Sequence, residues 1–408
     1  MKYWRGYLVA LVLGACSWGL IQFAQSHWLL IDMIYPYTAR IIQNFMADWS
    51  SSVSNCLWQL AILIFVAGVL ASLVMLIVWK WNPIQWFGWV MSVISLVVLL
   101  HTGLYGLNDY AGPLADDVRL NVTDYTVSEL TSSAKFFQEE AHKLSTQIRR
   151  DSSGQPQYPD FATLAEQAGN GFDNLTYEQY NSVFAGSRLP VKELGWSSFF
   201  ASKGQTYVLS PITGEAAVNP ETPAVGLPFA MCQVMSKRLC ISNEQDAAFA
   251  AFLACINNES VEFQYSGYLM AYRYCYNALA DMNVVSAQTA ARSLQSTENK
   301  YLRQDLEAYN SSFAIGSDHA YYEEKEPVIN IDLSFLKGKR SSDTTVDVTK
   351  APERSNVADM LVSWHIQEFV LPLLKEEEVK FDPLDETQVD LSGIVNAPTE
   401  SETNDSND

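Results

Sequence analysis

Residues able to do chemistry concentrate between Leu227 and Phe249. The run Leu227-Pro228-Phe229-Ala230-Met231-Cys232-Gln233-Val234-Met235-Ser236-Lys237-Arg238-Leu239-Cys240 reads as one helix. After a short turn, Asn243-Glu244-Gln245-Asp246-Ala247-Ala248-Phe249 opens a second helix that begins with acids. Metal-assisted hydrolysis uses such a pair: two ligands four residues apart on one helix, a general base beside the first, and a carboxylate from the next helix. The histidines do not supply that set, because His27, His101, His142, His319 and His365 are scattered and no His-Glu-x-x-His helix occurs. Phosphate loop, dinucleotide fingerprint and nucleophile elbow are all missing from the sequence. Glu323, Glu324 and Glu326 cluster, but acids grouped in an acidic chain read as a solvated face.

Cys232, Cys240, Cys255 and Cys275 fall in the same region. Outside the cytoplasm they are disulfide candidates, with three possible pairings. If helices 243–257 and 259–282 fold back around Asn258, Cys240 and Cys275 come to face each other. The alternatives are buried free thiols filling a helical core, or a metal site.

The residues framing this stretch carry a resemblance. Leu227-Pro228-Phe229, Phe252-Leu253-Ala254, Tyr265-Ser266-Gly267-Tyr268 and Asn277-Ala278-Leu279 resemble an uncharacterised bacterial family of membrane-anchored, zinc-metallopeptidase-like proteins. Its members have three N-terminal spans and an extracytoplasmic domain containing His-Glu-x-x-His. The resemblance implies a zincin-like, mainly helical fold with zinc as the family's cofactor. Carried over residue by residue, the first histidine position holds Cys232, the general-base position Gln233 and the second histidine position Ser236. Glu244 matches the downstream carboxylate, with Asp246 a nearby alternative. A thiolate can bind zinc, but a serine hydroxyl is a poor ligand and glutamine cannot take a proton from a metal-bound water. The resemblance therefore implies a pseudopeptidase with no intact catalytic residue, no intact metal set and no cofactor.

The elements that must position these residues begin in a membrane. The chain has 408 residues, 48% of them hydrophobic and 18% charged, with 26 Lys and Arg against 46 Asp and Glu. A formal charge of -20 excludes a basic nucleic-acid footprint. Residues 1–110 contain only Lys2, Arg5, Asp32, Arg40, Asp48, Lys80 and Asp109 as charged groups, whereas the rest carries a net -21. Three stretches, 7–24, 57–79 and 84–105, are long and apolar enough to span a bilayer. Trp79, Trp81, Trp86 and Trp89 around Pro83 mark a tight turn at one interface. Lys2, Arg5 and Lys80 fall on one side of a three-span anchor, which predicts a bacterial cytoplasmic membrane protein with residues 107–408 outside the cytoplasm. Arg40 falls in the loop between the first two spans. Ala67 with Ala71, and Gly68 with Ser72, are spaced for close helix packing, within the span hairpin or between copies. Leu13-Gly14-Ala15-Cys16 matches a lipidation box, but the apolar run continues past Cys16 and two further spans would make a lipid redundant. His101, inside the third span, reads as reaching the outer interface.

In the body, Val127, Leu130, Ala134, Phe137, Ala141, Leu144 and Ile148 form an apolar seam, predicting an amphipathic helix within 112–150. It reads either as a self-associating stalk or as a helix packed on its own domain. A helical domain at 160–315 follows, with a hairpin of 206–209 and 215–218 and helices near 228–240, 243–257, 259–282 and 284–312. Tyr265, Tyr268, Tyr272 and Tyr276 read as core. An α+β extension at 316–375 contains a strand near 328–335 and an apolar helix from Val357, and the acidic tail 376–408 lacks the apolar content to fold. Three functions are compatible with these features. The first is an inactive metallopeptidase-like protein binding a peptide or protein partner. The second is a structural subunit of an envelope assembly, acting through the 120–148 seam or the 357–374 helix. The third is an active peptidase with a rearranged metal site.

Overall fold

The computed structural model describes residues 4–178, 182–313 and 354–373. The expected strand at 328–335, most of the 337–355 loop, His319, the Glu323 cluster and the acidic tail lie outside the described residues. The chain divides into two compact units, 1–364 and 365–408. The second contributes a π-helical turn, Ile366–Val370.

The chain begins with α1 (Arg5–Ser26), α2 (Trp28–Ser51), α3 (Leu57–Val78) and α4 (Pro83–Leu104). Of these, α1, α3 and α4 are long and apolar enough to cross a membrane, close to the stretches read from sequence. The turn before α4 is built as expected, with Pro83 at its start and Asn82 Oδ1 accepting from the amides of Ile84 and Gln85 at 2.9 and 3.3 Å. The close-packed pair is α1 with α4. A Cβ on Gly6 would lie 2.4 Å from the backbone of Gly88, and Ser92 Oγ donates to Gly6 O at 2.7 Å. The two helices run parallel, so Arg5 and Lys80 share the end remote from the body. Of the small residues expected to pack on α3, Ser72 faces α4 and Gly68 is open. Ser72 Oγ accepts from Trp86 Nε1 at 2.9 Å, whereas Gly68 has nothing within 4 Å of an added Cβ.

The segment between the first two spans, expected to be a loop, is the helix α2. The chain breaks direction at His27 (φ −129°, ψ 43°), and Ile31, Ala39, Gln43, Ala47 and Ser50 then recur on one buried face. Helical spacing with a mixed polar and apolar buried face is the reason it escapes a search for apolar runs.

The body starts with α5 (Leu114–Asp117) and α6 (Val127–Ser145), the latter opened by a capping box between Thr126 and Glu129. The α6 seam is core: Leu130, Ala134, Phe137 and Ala141 are fully buried, and α6 packs along α12. The stalk reading is thereby corrected, since the apolar stripe is consumed within the chain. After α7 (Phe161–Gln167) and α8 (Asn170–Glu178), β1 (Lys192–Glu193), α9 (Ser197–Ala201), β2 (Tyr207–Ser210) and β3 (Glu215–Val218) form a three-stranded sheet of order β1-β3-β2. The predicted hairpin is present, with Tyr207 opposite Val218 and Ser210 opposite Glu215, while the two-residue parallel strand β1 is an addition. The core helices are α10 (Leu227–Arg238), α11 (Glu244–Ile256) and α12 (Val261–Asp281), near their predicted bounds. The expected 284–312 helix is two, α13 (Val285–Thr297) and α14 (Lys300–Phe313), because Asn299 Oδ1 accepts from Leu302 N at 2.8 Å and caps a new start. Tyr265, Tyr272 and Tyr276 are buried, with the Tyr265 hydroxyl donating to Asp305 and the Tyr272 hydroxyl to Glu298. Finally α15 (Val357–His365) docks on the body, its Trp364 ring stacked 6.2 Å from Phe137 and edge-on to Phe252 at 4.9 Å.

Candidate functional site

The α10–α11 pair separates the residues that the resemblance groups together. Cys232 lies in the apolar core, its Sγ directed to Ala168 O at 4.0 Å and beside the Cys255 thiol, whose pKa burial pushes well up. Ser236, one turn on, is also fully buried and donates back to Cys232 O at 3.0 Å. Glu244 opens α11, where Asn243 Oδ1 caps the helix by accepting from the amides of Gln245 and Asp246 at 2.9 and 3.3 Å. Its carboxylate accepts from the Tyr207 hydroxyl and pairs with Lys237, the residue after Ser236. Burial and the adjacent Glu244 charge drive the Tyr207 phenol far above its ordinary pKa. Glu244 thus meets the Lys237 face of α10, one residue round from the face that carries Cys232 and Ser236. Gln233, nearly buried, sits one turn before Lys237 on the Lys237 face. Among the described residues no group of three His, Cys, Asp or Glu side chains is placed to hold a metal ion.

All six cysteines are free thiols. Cys240 packs against Ala39 of α2 and Tyr105, whereas Cys275 sits in α12 within the electrostatic reach of Asp359, so the fold-back that would have paired them does not bring them together.

The turn between α10 and α11 forms a wall of a different feature. A polar chamber of about 110 Å³ lies among α2, the segment 108–117, residues 182–183, the start of α11 and Arg354. Asp246 is buried on one side and paired with Arg354, whose Nη2 also donates to Ala111 O at 2.7 Å. Burial raises the pKa of Asp246, and Arg354 and the Leu114 amide oppose that rise. Opposite, Arg40 of α2 is held by three carbonyls: Leu239 at 3.0 Å, Ser182 at 2.6 Å and Ala185 at 3.2 Å. Asp32 accepts from the Gly112 amide at 2.7 Å. Asp117 reaches the surface beside the chamber, and partial withdrawal from water, reinforced by Asp32, pushes its carboxyl up to about 6. Cys240 lies in the wall in a left-handed backbone conformation (φ 70°), and burial takes its thiol up to about 12.

Three buried polar atoms lining this chamber make no hydrogen bond within the protein: Asn108 Oδ1, Ser242 Oγ and Asp246 Oδ1. Asn108 and Asp246 are 1% and 2% exposed, so these oxygens are removed from bulk water. An amide oxygen, a carboxylate oxygen and a hydroxyl suit a ligand group rich in N–H donors, and three carboxylates against two guanidiniums favour a cationic one.

The body is tied to the spans at three points. Tyr35 of α2 donates to Gly103 O at the end of α4 at 3.0 Å, and the Tyr105 hydroxyl donates to Lys237 O at 3.0 Å. Glu215 of β3 accepts from the first amides of α3, Leu57 at 2.8 Å and Trp58 at 3.0 Å. Of the chamber residues, the sequence had pointed only to Asp246, as a substitute for Glu244, and to Cys240, as a thiol. Asp32 and Arg40 did carry a signal, being two of the seven charges in the first 110 residues, but Arg354 is joined to them only by the fold.

A family model described as a protein of unknown function (DUF3810) matches residues 31–340, about three quarters of the chain. No curated protein and no solved structure matches it.

Proposed function

The chain belongs to the DUF3810 family, and on that premise we propose that it is a membrane-anchored, non-catalytic binding protein of the bacterial cytoplasmic membrane. Its body lies outside the cytoplasm and holds a cationic, donor-rich group of a peptide or protein partner, such as a lysine ammonium or a free amino terminus, in the Asp246–Arg354 chamber. The observation that carries this reading is that three residues lining one chamber, Asn108, Ser242 and Asp246, each hold a buried side-chain oxygen with no hydrogen-bond partner in the protein.

Other features support parts of it. Arg5 and Lys80 at the end remote from the body favour a cytoplasmic location for that end. The resemblance to zinc-metallopeptidase-like proteins, with Cys232, Gln233 and Ser236 at the ligand and base positions, favours a pseudopeptidase over an enzyme. The alternative of an envelope subunit has little surface to act through, because the apolar faces of α6 and of Val357–Val362 are buried within unit 1.

The test uses the full chain in detergent, titrated with lysine-containing peptides and their acetylated counterparts. Binding should favour the free amines and weaken at least about tenfold in Asp246→Asn, the scale of a lost charge-assisted contact. Mass spectrometry should show uncleaved peptide and near-zero zinc. Equal binding of acetylated peptides, or equal binding by Asp246→Asn, overturns the chamber assignment; stoichiometric zinc with cleavage overturns the non-catalytic one. Alkaline phosphatase fused after Asp390 should be active and a fusion at Lys80 inactive, and the reverse pattern overturns the orientation.

A further inference from the structure

We infer that α2 is an interfacial helix that lies in the membrane surface and seats the body on the lipid, independently of what the chamber binds. Its buried face is polar as well as apolar and belongs to the body. Arg40 takes the three carbonyls of residues 182, 185 and 239, Gln43 Nε2 donates to Pro211 O at 2.9 Å, and Asn44 Oδ1 accepts from Ser187 N at 2.9 Å. The opposite face is covered by no other part of the described chain and is mainly apolar, with Thr38 and Asp48 among its exposed polar residues. Met33, Ile41, Phe45 and Trp49 are 66%, 69%, 66% and 63% exposed, with Leu30, Ile34 and Tyr37 between them on the same side. Among the charged residues of α2, Asp32 and Arg40 are engaged with the body, and Asp48 alone is exposed.

What covers this face follows from the connections at its two ends. At the N-terminal end the chain leaves the span α1 at Ser26, turns at His27 and enters α2. At the C-terminal end, Ser51 is followed by a short connection to the span α3, which starts at Leu57. Between those ends the helix is about 36 Å long at 1.5 Å per residue. It is pinned to the end of α4 by the bond from Tyr35 to Gly103 O. A helix held between the ends of two spans lies at the level of the headgroups. Its outward apolar stripe is then continuous with the lipid-facing surfaces of α1 and α3, and its aromatic Tyr37 and Trp49 suit that depth. A second protein chain would have to displace lipid already in contact with both spans.

The test places nitroxide labels in the full chain, in bilayer discs of phosphatidylethanolamine and phosphatidylglycerol. Single labels go on Met33→Cys, Ile41→Cys and Phe45→Cys in a Cys16→Ser background, because Cys16 is the exposed native thiol. Ser202→Cys, exposed on the body, is the aqueous control. The three α2 labels should collide with oxygen several-fold more than with a water-soluble nickel chelate, at a depth of about 5–10 Å below the headgroup boundary, and Ser202→Cys should show the opposite preference. Nickel-chelate contact at Ile41→Cys and Phe45→Cys equal to the control overturns the proposal, because the face is then in water. Spin–spin broadening that disappears on dilution with unlabelled protein also overturns it, because a second copy then occupies the face.

Discussion

Lys192 Nζ lies 2.6 Å from Glu215 Oε1, and the same carboxylate caps the first turn of α3 through the amides of Leu57 and Trp58. One buried ion pair therefore joins the edge of a sheet to the start of a membrane span. Lys192 also donates to Ser50 O at 2.9 Å, which adds the end of α2 to the junction. Gln59, one turn into α3, exchanges two hydrogen bonds with the backbone of Gly195, at 2.8 and 3.0 Å. Removing the carboxylate leaves a buried ammonium and two unpaired helix amides. Glu215→Ala should lower stability by about 3–5 kcal/mol, the usual cost of breaking one side of a buried pair. Glu215→Gln keeps one acceptor for the two amides and should cost less. Thermal unfolding in detergent checks the order, and amide exchange at Leu57 and Trp58 should rise in the alanine variant before global unfolding.

Arg354 and Asp246 give a stability change whose sign depends on pH. Burial raises the Asp246 pKa in the folded protein, and Arg354 holds that rise in check. A carboxyl with a raised folded pKa binds its proton more readily folded than unfolded, so its effect on stability turns unfavourable as pH rises from the unfolded value through the folded one. In Arg354→Ala the rise is larger. That variant should be destabilised by about 3–5 kcal/mol at neutral pH and should recover as acid protonates Asp246. Adding Asp246→Asn should remove most of the pH dependence. Melting temperatures of the three proteins between pH 4 and about 8 decide it, and a parallel pH profile for wild type and Arg354→Ala would show that the pair is not coupled.

The small residues of the spans divide into those in use and those left open. Gly6→Leu has no room, because even a Cβ would sit 2.4 Å from Gly88, and it should cost about 1–3 kcal/mol or more through displacement of α1 from α4. Gly68→Leu meets nothing within 4 Å and should leave the melting temperature of the monomer unchanged. If Gly68→Leu were the more damaging of the two, α3 would be packed against another chain through that face.

How much of this was legible in the sequence depends on whether a residue's partners are near it along the chain. The spans and the helices α6, α10, α11 and α12 follow from local patterns, since Leu130, Ala134, Phe137 and Ala141 declare a buried stripe without knowledge of what buries it. The helix α2 was missed because two of its five buried residues, Gln43 and Ser50, are polar and interrupt the apolar period. The strand β1 is two residues long and exists only because β3 supplies an edge. The chamber could not be assembled from sequence, because Asp32, Asp117, Asp246 and Arg354 come from four distant segments and form one site only through packing.

The same contrast makes the α10–α11 pair testable by metal binding. The expectation from sequence puts ligand positions at Cys232 and Ser236, yet those side chains point into the core beside Ala168 and Cys255. Glu244 instead meets Lys237, and Gln233 lies one turn earlier on that face. Two imidazoles there, with the Glu244 carboxylate, would supply the three protein ligands of an open zinc site. Gln233→His combined with Lys237→His should therefore bind about one zinc per chain, and adding Glu244→Gln should weaken it. Cys232→His combined with Ser236→His should bind none at that position and should lose about 1–3 kcal/mol or more by overpacking the core. Zinc content of the purified full-length variants, alongside their melting temperatures, separates the two faces. Zinc in the Cys232 and Ser236 variant alone would mean that α10 turns its other side to Glu244 in solution.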